Sequence, residues 1–152
     1  MTENVIIAPE YKERAERVIS EHMDLAWIAN EGVRIAYLAS DKEKKSHRRP
    51  VCGQCVKVPN LFKTLIPYDF LIVIYEMNTE GFTDAEMDVL LYHELLHVGM
   101  NDKGEYRINP HNVDDFYVIL KKYGLEWSSG GIRFPASAEG EPGGDPDGEG
   151  QI

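Results

Sequence analysis

A chain of 152 residues, 43% hydrophobic and 28% charged, is long enough to bury a core without disulfide staples and has an ordinary globular composition. The formal charge of -10 argues against bulk nucleic-acid affinity. Five of the acids (Glu139, Glu141, Asp145, Asp147, Glu149) crowd the last fourteen residues, so the preceding part is only about half as acidic as the whole. No apolar run approaches membrane-spanning length, and Met1 to Asn4 lacks a basic leader region, so no signal peptide and a cytoplasmic location are expected.

Pro9 opens a first predicted helix reaching about Asn30, with Ala15, Val18, Ile19, Met23, Ala26 and Trp27 on one face. His22 sits at the edge of that stripe and reads as a structural histidine. Val33 to Ala39 is rich in β-branched and aromatic residues and reads as a strand. A polar turn from Ser40 to Pro50 follows, carrying Lys42, Lys44, Lys45, Arg48 and Arg49. It reads as a solvated hairpin tip, with contact to nucleic acid or an acidic partner through residues 42–49 as the alternative.

Val51 to Val58 reads as the returning strand, antiparallel to the first. Its Cys52-Gly53-Gln54-Cys55 lacks a second CxxC, and with His47 as a third ligand a fourth would still be missing, so two plain strand cysteines are expected. Pro59 to Leu65 predicts one or two helical turns. Phe70 to Tyr75 is a continuous apolar run, hence a buried central strand. A sheet edge beside the following helix would let an extended peptide pair by strand addition.

That following helix carries the chemistry. Thr83-Asp84-Ala85-Glu86 is a capping box that fixes its start, with Phe82 and Met87 placed for a hydrophobic staple. Met87, Leu91, Leu95 and Val98 form one apolar stripe, while Leu90, His93, Glu94 and His97 form its neighbour. His93-Glu94-Leu95-Leu96-His97 spells HExxH. Residues four apart on a helix project from one face, so the two imidazoles can share one ion, and Glu94 can take a proton from a metal-bound water. Gly99 and the polar run from Asn101 to Gly104 are read as the helix stop.

With five histidines and sixteen glutamates, HExxH arises by chance in roughly one or two such chains per hundred. The capping box and the stripe geometry argue that this one is not accidental. A catalytic zinc wants three protein ligands and an open position. The spacing HExxHxxGxxH is excluded by Met100 and Lys103, and neither Glu105 nor Glu126 is well placed, which leaves His111 as third ligand. Asp114 or Asp115 would support it or replace it. Tyr106 or Tyr92 are the candidates to stabilise an oxyanion. Asn112 caps a last expected helix, Val113 to Tyr123, and an acidic Gly/Pro-rich disordered tail is expected over 134–152 after a domain spanning 1–133.

The runs Leu91 to His97, Asn109 to Phe116 and Lys122-Tyr123-Gly124, with Lys57-Val58-Pro59 and Tyr68-Asp69-Phe70 upstream, resemble the phage metallopeptidase family of phage and prophage genomes. A more distant similarity is to SprT-like proteases that act near DNA. The likeness covers roughly residues 8–127. It implies a small zincin-like α+β fold, zinc as the cofactor, a peptide or protein substrate, and residence in a bacterial cell or a phage-infected host.

The expectation is therefore an α+β domain: an N-terminal helix, a small mainly antiparallel sheet, the HExxH helix and a C-terminal helix. His93, His97 and His111 are the candidate metal ligands and Glu94 the candidate general base of a zinc-dependent metallopeptidase. Two rival functions remain open, a non-catalytic zinc-stabilised binding module and a DNA-associated protease or adaptor using the basic turn.

Overall fold

The computed structural model describes residues 3–111. The expected helix over 113–123, Asp114 and Asp115, and the tail over 134–152 lie outside the described residues. In chain order the elements are β1 (Val5–Ile7), α1 (Pro9–Glu21), α2 (Ala26–Asn30), β2 (Ile35–Ser40), β3 (Lys45–Ser46), β4 (Arg49–Pro50), β5 (Gly53–Lys57), β6 (Phe70–Tyr75), α3 (Asp84–Leu96), β7 (Val98–Met100) and β8 (Tyr106–Ile108). Single 3₁₀ turns lie at Met23–Leu25, Asn60–Phe62 and Glu76–Asn78. No described helix is long and apolar enough to cross a membrane.

The first helix is shorter than the apolar stripe suggested. Pro9 does open it, but the chain leaves helical geometry at His22 (φ -129°, ψ 117°) before re-entering at Ala26. A long-range contact explains the break. The His22 ring stacks on Tyr92 of α3 with centroids 4.0 Å apart, and Asp24 accepts a hydrogen bond from the Tyr92 hydroxyl at 2.8 Å. Reaching both takes Met23 out of the stripe, and its side chain is 93% exposed.

The sheet is small and mixed, with strand order β1-β2-β6-β5. β2 and β6 are parallel, while β1–β2 and β5–β6 are antiparallel. The predicted direct pairing of the two early strands is therefore corrected. β5 does run opposite to β2, but β6 is inserted between them. The apolar run Phe70 to Tyr75 explains the choice: Phe70, Ile72 and Ile74 are fully buried and Leu71 and Val73 half-buried, which only an interior strand provides. Among the described strands it is β5, not β6, that forms the sheet edge, and α3 packs on it.

Ile35, Tyr37 and Ala39 align with Phe70, Ile72 and Ile74, and those with Lys57, Cys55 and Gly53. α1 packs on β2, α3 on β5, and the two helices on each other. Ala15 and Val18 of α1 and Leu90, Leu91 and Leu95 of α3 close the core over those rows. Arg14 and Arg17 both reach Asp88 at 2.8 Å, and Arg14 also reaches Asp84 at 3.0 Å, tying α1 to the start of α3.

The basic turn is the small β3–β4 hairpin, whose tip residues His47 and Arg48 have φ of 51° and 68°. Positive φ at both central residues is the geometry of a two-residue hairpin turn matched to strand twist. Lys45, Arg48 and Arg49 are exposed, while Lys44 is half-buried and donates to Gln54 at 3.2 Å.

Candidate metal centre

α3 begins where the capping box puts it. Thr83 Oγ1 accepts from the Glu86 backbone N–H at 3.1 Å, and Glu86 Oε1 accepts from the Thr83 N–H at 2.8 Å. Thirteen residues later the helix stops at Leu96, with His97 as its C-cap. Val98 and Gly99 belong to β7 rather than to the helix, a correction to the expected stop.

The stop has an identifiable cause. Asn109, on the far side of the β7–β8 hairpin, donates from its side-chain amide to the Leu96 and Val98 carbonyls at 3.1 and 3.2 Å. Its backbone N–H donates to the His97 carbonyl at 2.7 Å. These bonds serve carbonyls that a helix end would otherwise leave unpaired. Gly99 makes room for the amide, since a Cβ there would lie 2.7 Å from Asn109 Cγ and 2.8 Å from Nδ2.

The same asparagine orients a candidate ligand. His97 Nδ1 lies 2.7 Å from the Asn109 carbonyl oxygen. With Nδ1–H donating to that oxygen, Nε2 presents its lone pair, the arrangement usual for a ligating histidine.

The hairpin also delivers His111. Val98 pairs with Ile108 and Met100 with Tyr106. The turn between them is held by Asn101, whose Oδ1 accepts from the Lys103 and Glu105 N–H groups at 2.8 and 2.9 Å. The chain thus doubles back on α3 and brings the 111 ring to the other two.

One ring nitrogen from each of His93, His97 and His111 lies within 4.8 Å of the others. Ring centroids are 5.2, 4.8 and 4.6 Å apart, and the Nε2 atoms of His111 and His93 are 3.0 Å apart. Nitrogens bound at about 2.0–2.1 Å in a tetrahedral site are roughly 3.3 Å apart, so the His93–His111 pair stands near that separation and the set as a whole is a candidate for a small dication. His93 is fully buried and the other two are half-buried, which leaves one side of the cluster accessible.

Glu94 is 2% exposed and is not among the clustered donors. Its carboxylate rests on Gly53 of β5, where a Cβ would lie 3.0 Å from Oε2 and 3.2 Å from Cγ. Glycine at that strand position lets the carboxylate approach the sheet edge. Cys52 and Cys55 lie within reach of its charge. Burial, reinforced by Glu94, pushes the Cys52 thiol up to about 11 and the Cys55 thiol well above its ordinary value. Both are free thiols, and neither they nor His47 joins a metal-type cluster among the described residues.

Of the tyrosines considered for an oxyanion, Tyr92 is 1% exposed with its hydroxyl engaged by Asp24. Tyr106 packs edge-on against Phe70 with centroids 5.5 Å apart. Asn109 and Gly53 have no assigned role in the sequence, and Gly99 is read there only as part of the helix stop. Their signals were present, an amide two residues before His111 and glycines beside the motif and inside a strand, but each needs the fold to become meaningful.

A family model described as "Putative phage metallopeptidase" matches residues 3–130. No curated protein and no solved structure matches the chain.

Proposed function

The chain belongs to the putative phage metallopeptidase family, and from that membership we propose that it is a zinc-dependent peptidase of zincin-like architecture, with His93, His97 and His111 as metal ligands and Glu94 as general base. The observation that carries this reading is the convergence of three imidazoles beside a buried carboxylate on the same helix.

His93, His97 and His111 would hold the zinc, which when bound would supply Lewis acidity to polarise a carbonyl and to acidify a water toward about pKa 7. The protein's own residues supply the rest. Glu94 takes the proton of the attacking water and returns it to the departing amine, and its seat on Gly53 keeps the carboxylate in one place between the two transfers. Asn109 holds the His97 ring in the tautomer that ligation needs. Among the described residues β5 pairs only with β6, and its other edge is where an extended peptide can align.

The test is cleavage of a quenched-fluorescent peptide library by the full chain, beside the zinc content of the same samples. Glu94→Gln should retain zinc and lose about 10²- to 10⁴-fold in rate. Equal cleavage by Glu94→Gln and wild type would overturn the assignment. A zinc-loaded wild type without cleavage would favour a zinc-stabilised binding module.

A further inference from the structure

A cavity of about 450 Å³ lies between the end of β5, the turn after it and the β7–β8 hairpin, with Lys57, Lys63, Asn101, Glu105 and Tyr106 in its wall. Its two ammonium groups differ in what surrounds them. Lys63 Nζ is 3.3 Å from Asp69 and 5.1 Å from the centre of the Tyr106 ring. Asp69 is itself also paired with Arg34 at 3.1 Å. Glu105 accepts a hydrogen bond from Asn101 at 2.9 Å. Lys57 is half-buried and has no ion pair among the described residues. An ammonium group in a cavity wall favours an anionic partner.

Its position relative to Glu94 says which partner. Lys57 and Gly53 are four residues apart on β5, facing the same side, in register with Phe70 and Ile74. At about 3.3 Å per residue they are separated by roughly 13 Å. Gly53 is where the Glu94 carboxylate rests. Among the described strands β5 is the outer one of its sheet, and an extended peptide added along it runs at the same rise per residue. A bond cleaved at Glu94 therefore places a side chain three to five residues away at Lys57.

Resting on the peptidase reading, we infer that this cavity is a specificity subsite for a carboxylate of the substrate peptide, with Lys57 Nζ as its ion-pairing group. The test uses zinc-loaded full chain and quenched peptides, C-terminally amidated, in which Asp, Asn or Lys is placed three to five residues to either side of the cleaved bond. A second set ends in a free carboxylate at those distances, to separate a side chain from a chain terminus as its source.

Wild type should prefer Asp over Asn at one of these positions by about twofold to fivefold in kcat/KM. Lys57→Glu should reverse the order so that the Lys peptide is preferred there. Glu105→Gln, which removes the competing carboxylate from the wall, should enlarge the preference for Asp. Equal rates for Asp and Asn at every position, or a preference that survives Lys57→Glu, would overturn the inference. Binding of the same peptides, measured by anisotropy, separates the two levels. Charge-selective binding reversed by Lys57→Glu without cleavage would support the subsite and sink the peptidase, whereas neither binding nor cleavage would sink both.

Discussion

Replacing Gly99 by alanine should damage the candidate metal centre although residue 99 is not among its clustered histidines. The new methyl carbon would sit 2.7 Å from Asn109 Cγ and 2.8 Å from Nδ2, against an ordinary carbon contact of about 3.5–4.0 Å. Asn109 must move, and its amide then leaves the Leu96 and Val98 carbonyls, now served at 3.1 and 3.2 Å. Overpacking of this kind costs about 1–3 kcal/mol, and each lost hydrogen bond about 1 kcal/mol. A total of about 3–5 kcal/mol corresponds to a fall in Tm on the order of 10 °C for a chain of this length.

The shift also loosens the 2.7 Å contact from His97 Nδ1 to the Asn109 carbonyl. Loss of such a supporting contact lowers metal affinity by about 10- to 100-fold. Denaturant unfolding in chelator reads the first effect and zinc competition with an indicator the second. Asn109→Ala removes the group that the methyl strikes, so Gly99→Ala/Asn109→Ala should be no less stable than Asn109→Ala alone. Additive losses in that cycle, or an unchanged zinc affinity in Gly99→Ala, would refute the reasoning.

Gly53→Ala should separate catalysis from metal binding. Its Cβ, 3.0 Å from Glu94 Oε2, pushes the carboxylate off its seat, so cleavage should fall by about tenfold or more while zinc content stays unchanged; a parallel loss of zinc would argue against this division of labour. Asp69 offers a pH test. Burial works to raise its carboxyl, but hydrogen bonds from Arg34 and Lys63 prevail and hold it below its ordinary value. A carboxyl depressed in the folded state contributes stability that is present above its unfolded value of about 3.9 and is lost as pH falls through the folded one. Urea midpoints of chelated protein should therefore drop on the acid side of about pH 4, and Asp69→Asn should flatten that drop; an unaltered acid limb would count against the network.

What the sequence made legible was short-range. The Thr83–Glu86 capping box works through two hydrogen bonds across three residues, so its pattern alone located the start of α3. Phe70 to Tyr75 is apolar on both faces and could only be an interior strand. The break at His22 was invisible, because it depends on Tyr92, seventy residues away. So was the place of β6 between β2 and β5, where two strands compete for one neighbour and the more apolar run takes the centre.

At the candidate site the three histidines that cluster, His93, His97 and His111, were readable as a candidate set. Their support was not, because Asn109 and Gly99 act through the β7–β8 pairing that folds residue 111 back onto α3. The helix was also read two residues too long, since Val98 suits an apolar helical stripe and a strand equally well.

The central claim is that three imidazoles hold one zinc ion. Zinc per chain should be measured by mass spectrometry on full chain purified without chelator, for wild type, His93→Ala, His111→Ala and Glu94→Gln. The account predicts about one zinc per chain in wild type and Glu94→Gln, and a small fraction of that in both histidine variants. A zinc-free wild type, or His111→Ala retaining wild-type zinc, would contradict it.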